Sequence, residues 1–168
     1  SGAFAQTYCN SNFNSTSFEH ITNVTFAGLN NSSGGNNGGP VNYTALGPAN
    51  VTQGVSYSLS VTILADGSEY VYAFIDWNHN GTLDDAGEQY TVVSSTSSSG
   101  PFTLSIPVPA TALTGNTRMR VMLDYASSGP NPCISSYYGE AEDYTVNVSA
   151  ATPCSGQPTA GTIAPSSL

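Results

Sequence analysis

Hydrophobic and polar residues alternate along most of the chain, in short runs that end at Gly, Pro, Asn or Ser. No window keeps apolar residues at i, i+3, i+4 and i+7 over three turns, so the pattern does not predict helices. An alternation with a period of two predicts strands that bury one face. Such runs occur at residues 18–26, 41–46, 56–64, 70–75, 88–93, 102–108, 117–125 and 143–148. Eight or nine short strands predict an all-β fold, an antiparallel β-sandwich or a jelly roll.

A polar loop follows the most hydrophobic run of the chain, residues 70–75, and has the composition of a cation site. Oxygen-bearing side chains stand at alternate positions before a glycine, which allows a sharp backbone bend. A backbone carbonyl and later carboxylates would complete the shell of a hard cation. The sequence therefore predicts a calcium site formed by Asp76, Asn78, Asn80, Thr82, Asp84 and Glu88.

The loop resembles an EF-hand up to its seventh position and then differs from it. The closing glutamate of that motif would fall on Gly87, whereas Glu88 comes one residue later. Residues 88–93 alternate and are β-branched, so we expect a strand rather than a helix after the loop. An Asx-rich hairpin turn without an ion is the alternative, because Asn, Asp and Gly are common in turns.

The overall charge narrows the possible partners. Two basic residues, both arginines, stand against 11 acidic ones, which gives a net charge of -9. Such a chain cannot displace counterions from a phosphate backbone, so nucleic acid is not an expected partner. No apolar run approaches the ~20 residues that span a bilayer, so membrane insertion is not expected either. An acidic surface rich in Asn, Ser, Thr and Gly instead favours a secreted, extracellular protein associated with the cell surface.

The predicted organisation is one domain with short tails. Residues 1–7 would form an N-terminal arm or the remnant of a signal peptide, residues 8–148 the β-sandwich, and residues 149–168 an extended tail or linker. Of the three cysteines, Cys9 and Cys133 are expected to form a disulfide, because both flank strand-like segments at opposite ends of the domain. Cys154 would then be free or would pair with another molecule.

The two arginines, Arg118 and Arg120, lie on one face of a predicted strand. We expect them to form ion pairs with carboxylates as surface-facing, cross-strand contacts. In the last strand, alternation places Glu140 and Glu142 on the core-facing side and Asp143 on the opposite side. A carboxylate at a core edge needs a cation or several hydrogen bonds, so Glu142 is a candidate partner for either arginine or for calcium.

Residues 138–144, Tyr-Gly-Glu-Ala-Glu-Asp-Tyr, contain the motif GEAED. The chain is similar to the GEVED domain of secreted and cell-surface proteins from Bacteroidetes-type bacteria. Besides this motif, the resemblance rests on Tyr8-Cys9, residues 18–21, the loop at 76–88, residues 118–121 and Pro132-Cys133. The resemblance implies a β-sandwich accessory module of exported enzymes and adhesins, and it supports the Cys9–Cys133 pairing. Asn80 and Thr82 stand where that family often has aspartates, which predicts a weaker calcium site.

Catalysis is not expected. Glu140 and Glu142 could be drawn as an acid and a base, but acidic residues two apart on one strand are common. His20 and His79 have neither a nucleophile elbow nor zinc-binding spacing around them. Two non-catalytic roles remain. One is a structural subunit of an adhesive fibre, and the other is a carbohydrate- or surface-binding module that uses exposed aromatic rings, namely Tyr43, Trp77, Tyr137 and Tyr138.

The C-terminal segment favours assembly with other copies of the chain. Its centre is extended and uncharged, and Pro153, Pro158 and Pro165 oppose a helix. We expect it to add a strand to the sheet edge of the next copy, head to tail, which generates a filament. The alternating positions available for side-chain contacts are Thr159, Gly161 and Ile163. A plain linker to another domain is the competing interpretation.

Overall fold

The computed structural model describes residues 6–152, and the predicted intermolecular positions Thr159, Gly161 and Ile163, like Cys154, lie outside this range. Within it the chain forms eleven strands and no helix, which confirms the predicted all-β sandwich but exceeds the predicted number of strands. The strands are β1 (Asn12–Ser15), β2 (His20–Phe26), β3 (Leu29–Ser32), β4 (Val41–Asn42), β5 (Ala49–Thr52), β6 (Ser56–Leu64), β7 (Glu69–Ile75), β8 (Gln89–Thr96), β9 (Phe102–Pro107), β10 (Gly115–Tyr125) and β11 (Ser135–Ser149). A search of the described residues for a helix long and apolar enough to cross a membrane found none.

Two sheets form the sandwich. The smaller sheet has the order β3-β2-β6-β9, and the larger has the order β1-β11-β10-β7-β8. The 15-residue strand β11 is the centre of the larger sheet. It pairs with β10 in antiparallel fashion on one side, and with β1, β4 and β5 in parallel and in succession on the other. Three short segments thus cover one edge of the longest strand.

Strand alternation separates the two faces of the larger sheet. On β10, Met119, Val121 and Leu123 belong to the main core between the sheets, whereas Met122 belongs to a second cluster on the outer face. The main core also contains Ile21, Val24, Phe26, Leu59, Val61, Ile63, Val71, Ala73, Ile75, Tyr144, Val146 and Val148. The second cluster contains Phe13, Tyr72, Phe74, Leu83 and Ala141. Because both of its faces are covered, β7 reads as a continuous apolar run rather than as an alternating one.

A disulfide joins Cys9 to Cys133, the pairing that the sequence predicts, with 5.5 Å between the Cα atoms. It ties the segment before β1 to the loop before β11. This segment lies against the outer face of the larger sheet, where Tyr8 and Ile134 pack on the second cluster. The loop between β7 and β8 reaches the same cluster through Leu83. The outer face is therefore covered by loops and termini rather than by a third sheet.

Candidate calcium site

The polar loop joins β7 to β8, two antiparallel neighbours, as the sequence predicts. One backbone hydrogen bond joins its two ends, and a second joins its start to β10. Ile75 N donates to Glu88 O at 2.9 Å, and Asp76 N donates to Arg118 O at 3.1 Å. The first and last acidic residues of the loop, Asp76 and Glu88, are thereby brought to the same end of the sheet.

Asp76 organises the loop from its first position. Its carboxylate is fully buried, and its Oδ2 accepts hydrogen bonds from Gly81 N at 3.0 Å and from the Tyr8 hydroxyl at 2.9 Å. Its Oδ1 accepts from Asn80 N at 3.2 Å. Gly81 has a φ of 86°, which a side chain would strain, and a Cβ there would lie 3.2 Å from the Thr7 carbonyl oxygen. The loop therefore folds around this carboxylate.

Asn78 and Asn80 form successive Asx turns. The Oδ1 of each accepts the backbone N–H two residues on, at 3.0 Å from Asn80 and 2.8 Å from Thr82. Both Nδ2 groups donate to Asp85 Oδ2, at 2.7 and 2.6 Å. These hydrogen bonds lower the pKa of Asp85 below its usual value. An amide oxygen has two lone pairs, so Asn78 Oδ1 keeps one for a cation, whereas Asn80 Oδ1 also accepts from the Thr82 hydroxyl at 2.8 Å and would bind a cation in place of that bond.

Two adjacent aspartates follow the asparagines of the loop, and the sequence prediction named the first of them, Asp84, as a ligand. Asp85 receives both asparagine amides, whereas the predicted ligand Asp84 is exposed and contributes its backbone oxygen to Gln89 Nε2 at 2.6 Å. Spacing alone could not choose between two adjacent aspartates. Sequence reasoning also missed Tyr8, which comes from 68 residues away, and only the resemblance at Tyr8-Cys9 pointed to that segment.

Glu88 closes the loop with one oxygen satisfied and one free. Its Oε1 accepts from Trp77 N at 2.8 Å and from Asn78 N at 3.2 Å, whereas its buried Oε2 has no protein partner. Burial, and then the negative charges of Asp76 and Asp85, raise the pKa of Glu88 to about 7. An unpaired buried carboxylate oxygen beside two other acids is a position that a cation would stabilise.

The donor set fits a hard cation, provided that amide and backbone oxygens take part. Among residues 6–152, no three His, Cys, Asp or Glu side chains form a group that could hold a metal ion. Calcium accepts mixed shells of carboxylate, amide and carbonyl oxygens. Asp76 and Glu88 would supply the buried charge, and Asn78, Asn80 and the Thr82 carbonyl would supply neutral oxygens.

The glutamates of the GEAED motif lie in the interior of the sandwich and are held by hydrogen bonds. Glu140 is fully buried, and its two oxygens accept from Ile21 N at 2.9 Å and from Asn36 N at 2.8 Å. Glu142 accepts from the Tyr144 hydroxyl at 2.6 Å and has one oxygen without a partner. Burial raises the pKa of both glutamates to about 7. Glu140 thus links the larger sheet to the smaller one.

Both arginines instead pair with Asp143, on the opposite face of the same sheet. Arg120 Nε lies 2.7 Å from Asp143 Oδ1, Arg120 Nη2 lies 3.0 Å from Oδ2, and Arg118 Nη1 also bonds Oδ2. Arg120 Nη1 donates to the carbonyl oxygens of Cys9 at 2.9 Å and of Pro132 at 2.7 Å, beside the disulfide. This guanidinium is bonded on all three nitrogens.

Two expectations about these charges are therefore wrong. The pair between Arg120 and Asp143 is buried rather than surface-facing, because the segment around Cys9 and the loop around Pro132 cover it. Only Arg118 keeps some exposure, with 25% of its side chain accessible. Glu142 cannot be the partner of either arginine, because strand alternation directs it to the opposite face of the sheet.

A comparison with models of known protein families found a match for this region of the chain. Residues 70–147 match the model of the GEVED domain. The match includes the β7–β8 loop, both arginines and the GEAED motif, but not the earlier residues in which a resemblance was also expected. A search of curated proteins found no match. Through residues 70–147, the chain belongs to the GEVED domain family.

Proposed function

We propose that this protein is a non-catalytic, calcium-binding β-sandwich module that works outside the cell. The observation that carries the proposal is the unpartnered Oε2 of buried Glu88, held at the same end of the sheet as buried Asp76. A divalent cation between these carboxylates would offset their repulsion and their loss of hydration. The loop already directs oxygen donors to this region.

Binding at this loop would stabilise the fold as well as the loop. Leu83, which is 1% exposed, packs into the outer-face cluster with Tyr72 and Phe74. Tyr8 connects the same loop to the disulfide-bonded N-terminal segment through Asp76. Calcium that orders the loop would therefore hold the cover of the larger sheet in place, which is a structural role.

Calcium titration of the thermal unfolding transition tests this proposal. One ion at 100 times its Kd contributes about 2.7 kcal/mol, which raises the Tm of a domain of this size by roughly 5–10 °C. Asp76→Asn and Glu88→Gln should abolish the increase, and Asp84→Asn, which removes an exposed charge from the same loop, should preserve it. An unchanged melting curve between excess calcium and excess chelator would contradict the proposal.

The non-catalytic part of the proposal is supported by the state of the motif's carboxylates. Glu140 and Glu142 are fully buried, and Asp143 is neutralised by two guanidinium groups. Groups in this state hold strands together and cannot reach a substrate. An extracellular location is supported by the Cys9–Cys133 disulfide, since such bonds persist in oxidising compartments.

A further candidate role is that of a subunit in an adhesive surface fibre. The observation that favours it is the open edge of β8, an eight-residue strand at the end of the larger sheet, with no other strand on its outer side within residues 6–152. Such an edge can accept an added strand, for which the segment after residue 149 is the proposed donor. Deletion of residues 150–168 should abolish filaments in electron micrographs. Filaments that persist after the deletion would exclude the tail as the donor.

The role of a carbohydrate- or surface-binding module has narrower support than expected. Trp77 is buried and donates to the Tyr90 hydroxyl at 2.8 Å, and Tyr43 stacks on Tyr144 with 5.7 Å between ring centroids. Neither ring is free to act as a surface platform. Tyr137 and Tyr138 remain, and they belong to a group of aromatic rings at one end of the sandwich.

A further inference from the structure

A pocket lies at the end of the sandwich away from the β7–β8 loop, where the two sheets separate. It is lined by Phe18, Glu19, Asp66, Tyr125 and Tyr138, and its volume is about 210 Å³. These residues come from the segment just before β2, the turn before β7, the end of β10 and the first half of β11. The volume is below the ~300 Å³ of typical small-molecule pockets, so it suits a group the size of one side chain.

Three aromatic rings form one wall. Phe18 and Tyr125 each contact Tyr138 edge to face, with ring centroids 5.9 and 6.0 Å apart. Phe18 is 52% exposed and Tyr125 is 42% exposed, which is unusual for large apolar side chains in mutual contact. Gly67 makes room for one of the rings, since a Cβ there would lie 2.6 Å from Tyr125 Cε2. The aromatic wall is thus built and partly open.

The pocket also contains an unpartnered buried carboxylate. Glu19 is 2% exposed, and its Oε1 has no hydrogen-bond partner. Glu69 is fully buried nearby, and its Oε2 is also unpartnered, whereas its Oε1 accepts only a long 3.4 Å bond from Asp66 N. Burial, and then the charges of Glu69 and Asp66, raise the pKa of Glu19 to about 7.

This chain has no basic side chain to spare for these acids. Its only two, Arg118 and Arg120, both pair with Asp143. The pocket is lined by two carboxylates and three aromatic rings, without the amide side chains that surround Glu88, which argues against a hard cation here. Aromatic rings favour instead an organic cation, which binds both the face of a ring and a carboxylate.

We propose that this pocket binds an alkylammonium or guanidinium group, as carried by a lysine or arginine side chain of a partner protein. The cationic end would bond Glu19 Oε1, and the aliphatic stem would lie against Phe18, Tyr125 and Tyr138. Residues 1–168 include no lysine, so a lysine ligand would come from outside this stretch of chain. The net charge of -9 would also accelerate the approach of a basic partner. The site is independent of the calcium loop.

Titration of the ¹⁵N-labelled protein with small amines tests the site directly. The probes are Nα-acetyl-lysine amide, Nα-acetyl-arginine amide and cadaverine, and the matched neutral control is the Nε-acetylated lysine derivative. We expect saturable shifts at the amides of Glu19, Tyr125 and Tyr138 with the cationic probes. Acetylation should weaken binding at least tenfold. Stronger binding of the amino-acid amides than of cadaverine would identify a protein side chain as the source of the bound cation. Stronger binding of cadaverine would identify a free amine as the ligand and overturn the protein-partner assignment.

Glu19→Gln separates recognition from folding. The variant removes a buried and unpaired charge, so it should raise the Tm of the free protein while weakening the cationic probes at least tenfold. Phe18→Ala should weaken binding with little effect on Tm, and Leu113→Ala, which truncates an exposed apolar residue elsewhere, should change neither. The proposal is overturned if no amine produces saturable shifts, if calcium alone shifts these amides, or if the acetylated control binds as well as lysine amide.

Discussion

Removal of the Asp143 carboxylate is predicted to be among the most damaging single changes in this domain. Asp143→Ala leaves Arg120, 1% exposed, without its two charged contacts, although the carbonyl oxygens of Cys9 and Pro132 still accept from Nη1. Breaking a buried pair from one side costs about 3–5 kcal/mol. Domains of this kind have about 5–15 kcal/mol in total, so the variant loses a large part of its stability.

Urea unfolding followed by the fluorescence of buried Trp77 measures this loss. With an m-value of ~2 kcal/mol/M, the midpoint should fall by roughly 2 M. Arg118→Met is the matched control, because it removes the more exposed guanidinium from the same carboxylate and should cost about 1 kcal/mol or less. The double variant Arg120→Met with Asp143→Leu also removes the stranded charge, so it should be more stable than Asp143→Ala.

If the variant Asp143→Ala has the m-value of the wild type, a shift of its urea midpoint by less than about 0.5 M would refute the predicted loss of stability. An equal loss for Arg118→Met would refute it too, because the predicted cost comes from the burial of Arg120. A double variant no more stable than the single one would show that the loss comes from the strand contacts of Asp143 and not from the unpaired guanidinium.

Three further predictions follow from the buried acids and the disulfide. Replacing Cys9 and Cys133 by serine should cost up to about 4–5 kcal/mol, because the bond closes a loop of 124 residues, and the urea midpoint measures it. Burial raises the pKa of Glu140 and Glu142 from 4.5 to about 7, so the folded state binds more protons than the unfolded state between these values. Stability should therefore fall as the pH rises from 4.5 to 7. Changing both glutamates to glutamine should reduce the slope of the midpoint against pH, and the remaining slope comes from other buried acids such as Glu19 and Glu88, whose pKa values burial also raises to about 7. Calcium and lysine amide should raise Tm additively, because their proposed sites lie at opposite ends of β7, roughly 20 Å apart. An increase in Tm smaller than the sum of the two separate increases would contradict two independent sites.

Alternation in the sequence predicted the long strands and missed most of the short ones. Strands β6, β9 and β10 each have six residues or more and alternate in sequence, so a period of two is visible in them, whereas β7 is recognised as a continuous apolar run. Strand β4 is only the first two residues of the run predicted at 41–46, whereas β1 and β5, of four residues each, were missed and owe their pairing to the edge of β11. No local pattern can reveal a strand that is defined by a partner about 100 residues away.

The start of β11 was missed for a different reason. The predicted apolar alternation begins at residue 143, and Glu140 and Glu142 are placed on the strand only by extending that alternation, whereas the structure begins the strand at Ser135. The missing half includes Glu140 and Glu142, which are buried and core-facing, and carboxylates at core-facing positions break the pattern that identifies a strand. The same buried acids that mark the family motif therefore hide the strand that carries it.

Spacing predicted the ends of the candidate calcium loop but not its interior. Asp76 and Glu88 are fixed by the strands that they adjoin, so their proximity follows from the hairpin. The preference for Asp85 over Asp84 depends on two Asx turns, whose amides happen to converge on one side. The contact from Tyr8 depends on the disulfide-bonded segment and has no local signal.

The distribution of charge explains why the two proposed sites need cations from outside the chain. Both arginines are used at Asp143, so every other buried acid needs another partner. Glu140 obtains two backbone amides and leaves no oxygen unsatisfied, which makes it a structural residue. Glu88 and Glu19 each keep a buried oxygen without a partner, and they lie in different surroundings. Amide and carbonyl oxygens around Glu88 suit a hard metal ion, whereas the aromatic rings around Glu19 suit an organic cation. The neighbours of each carboxylate, rather than its charge, therefore determine which ligand it would bind.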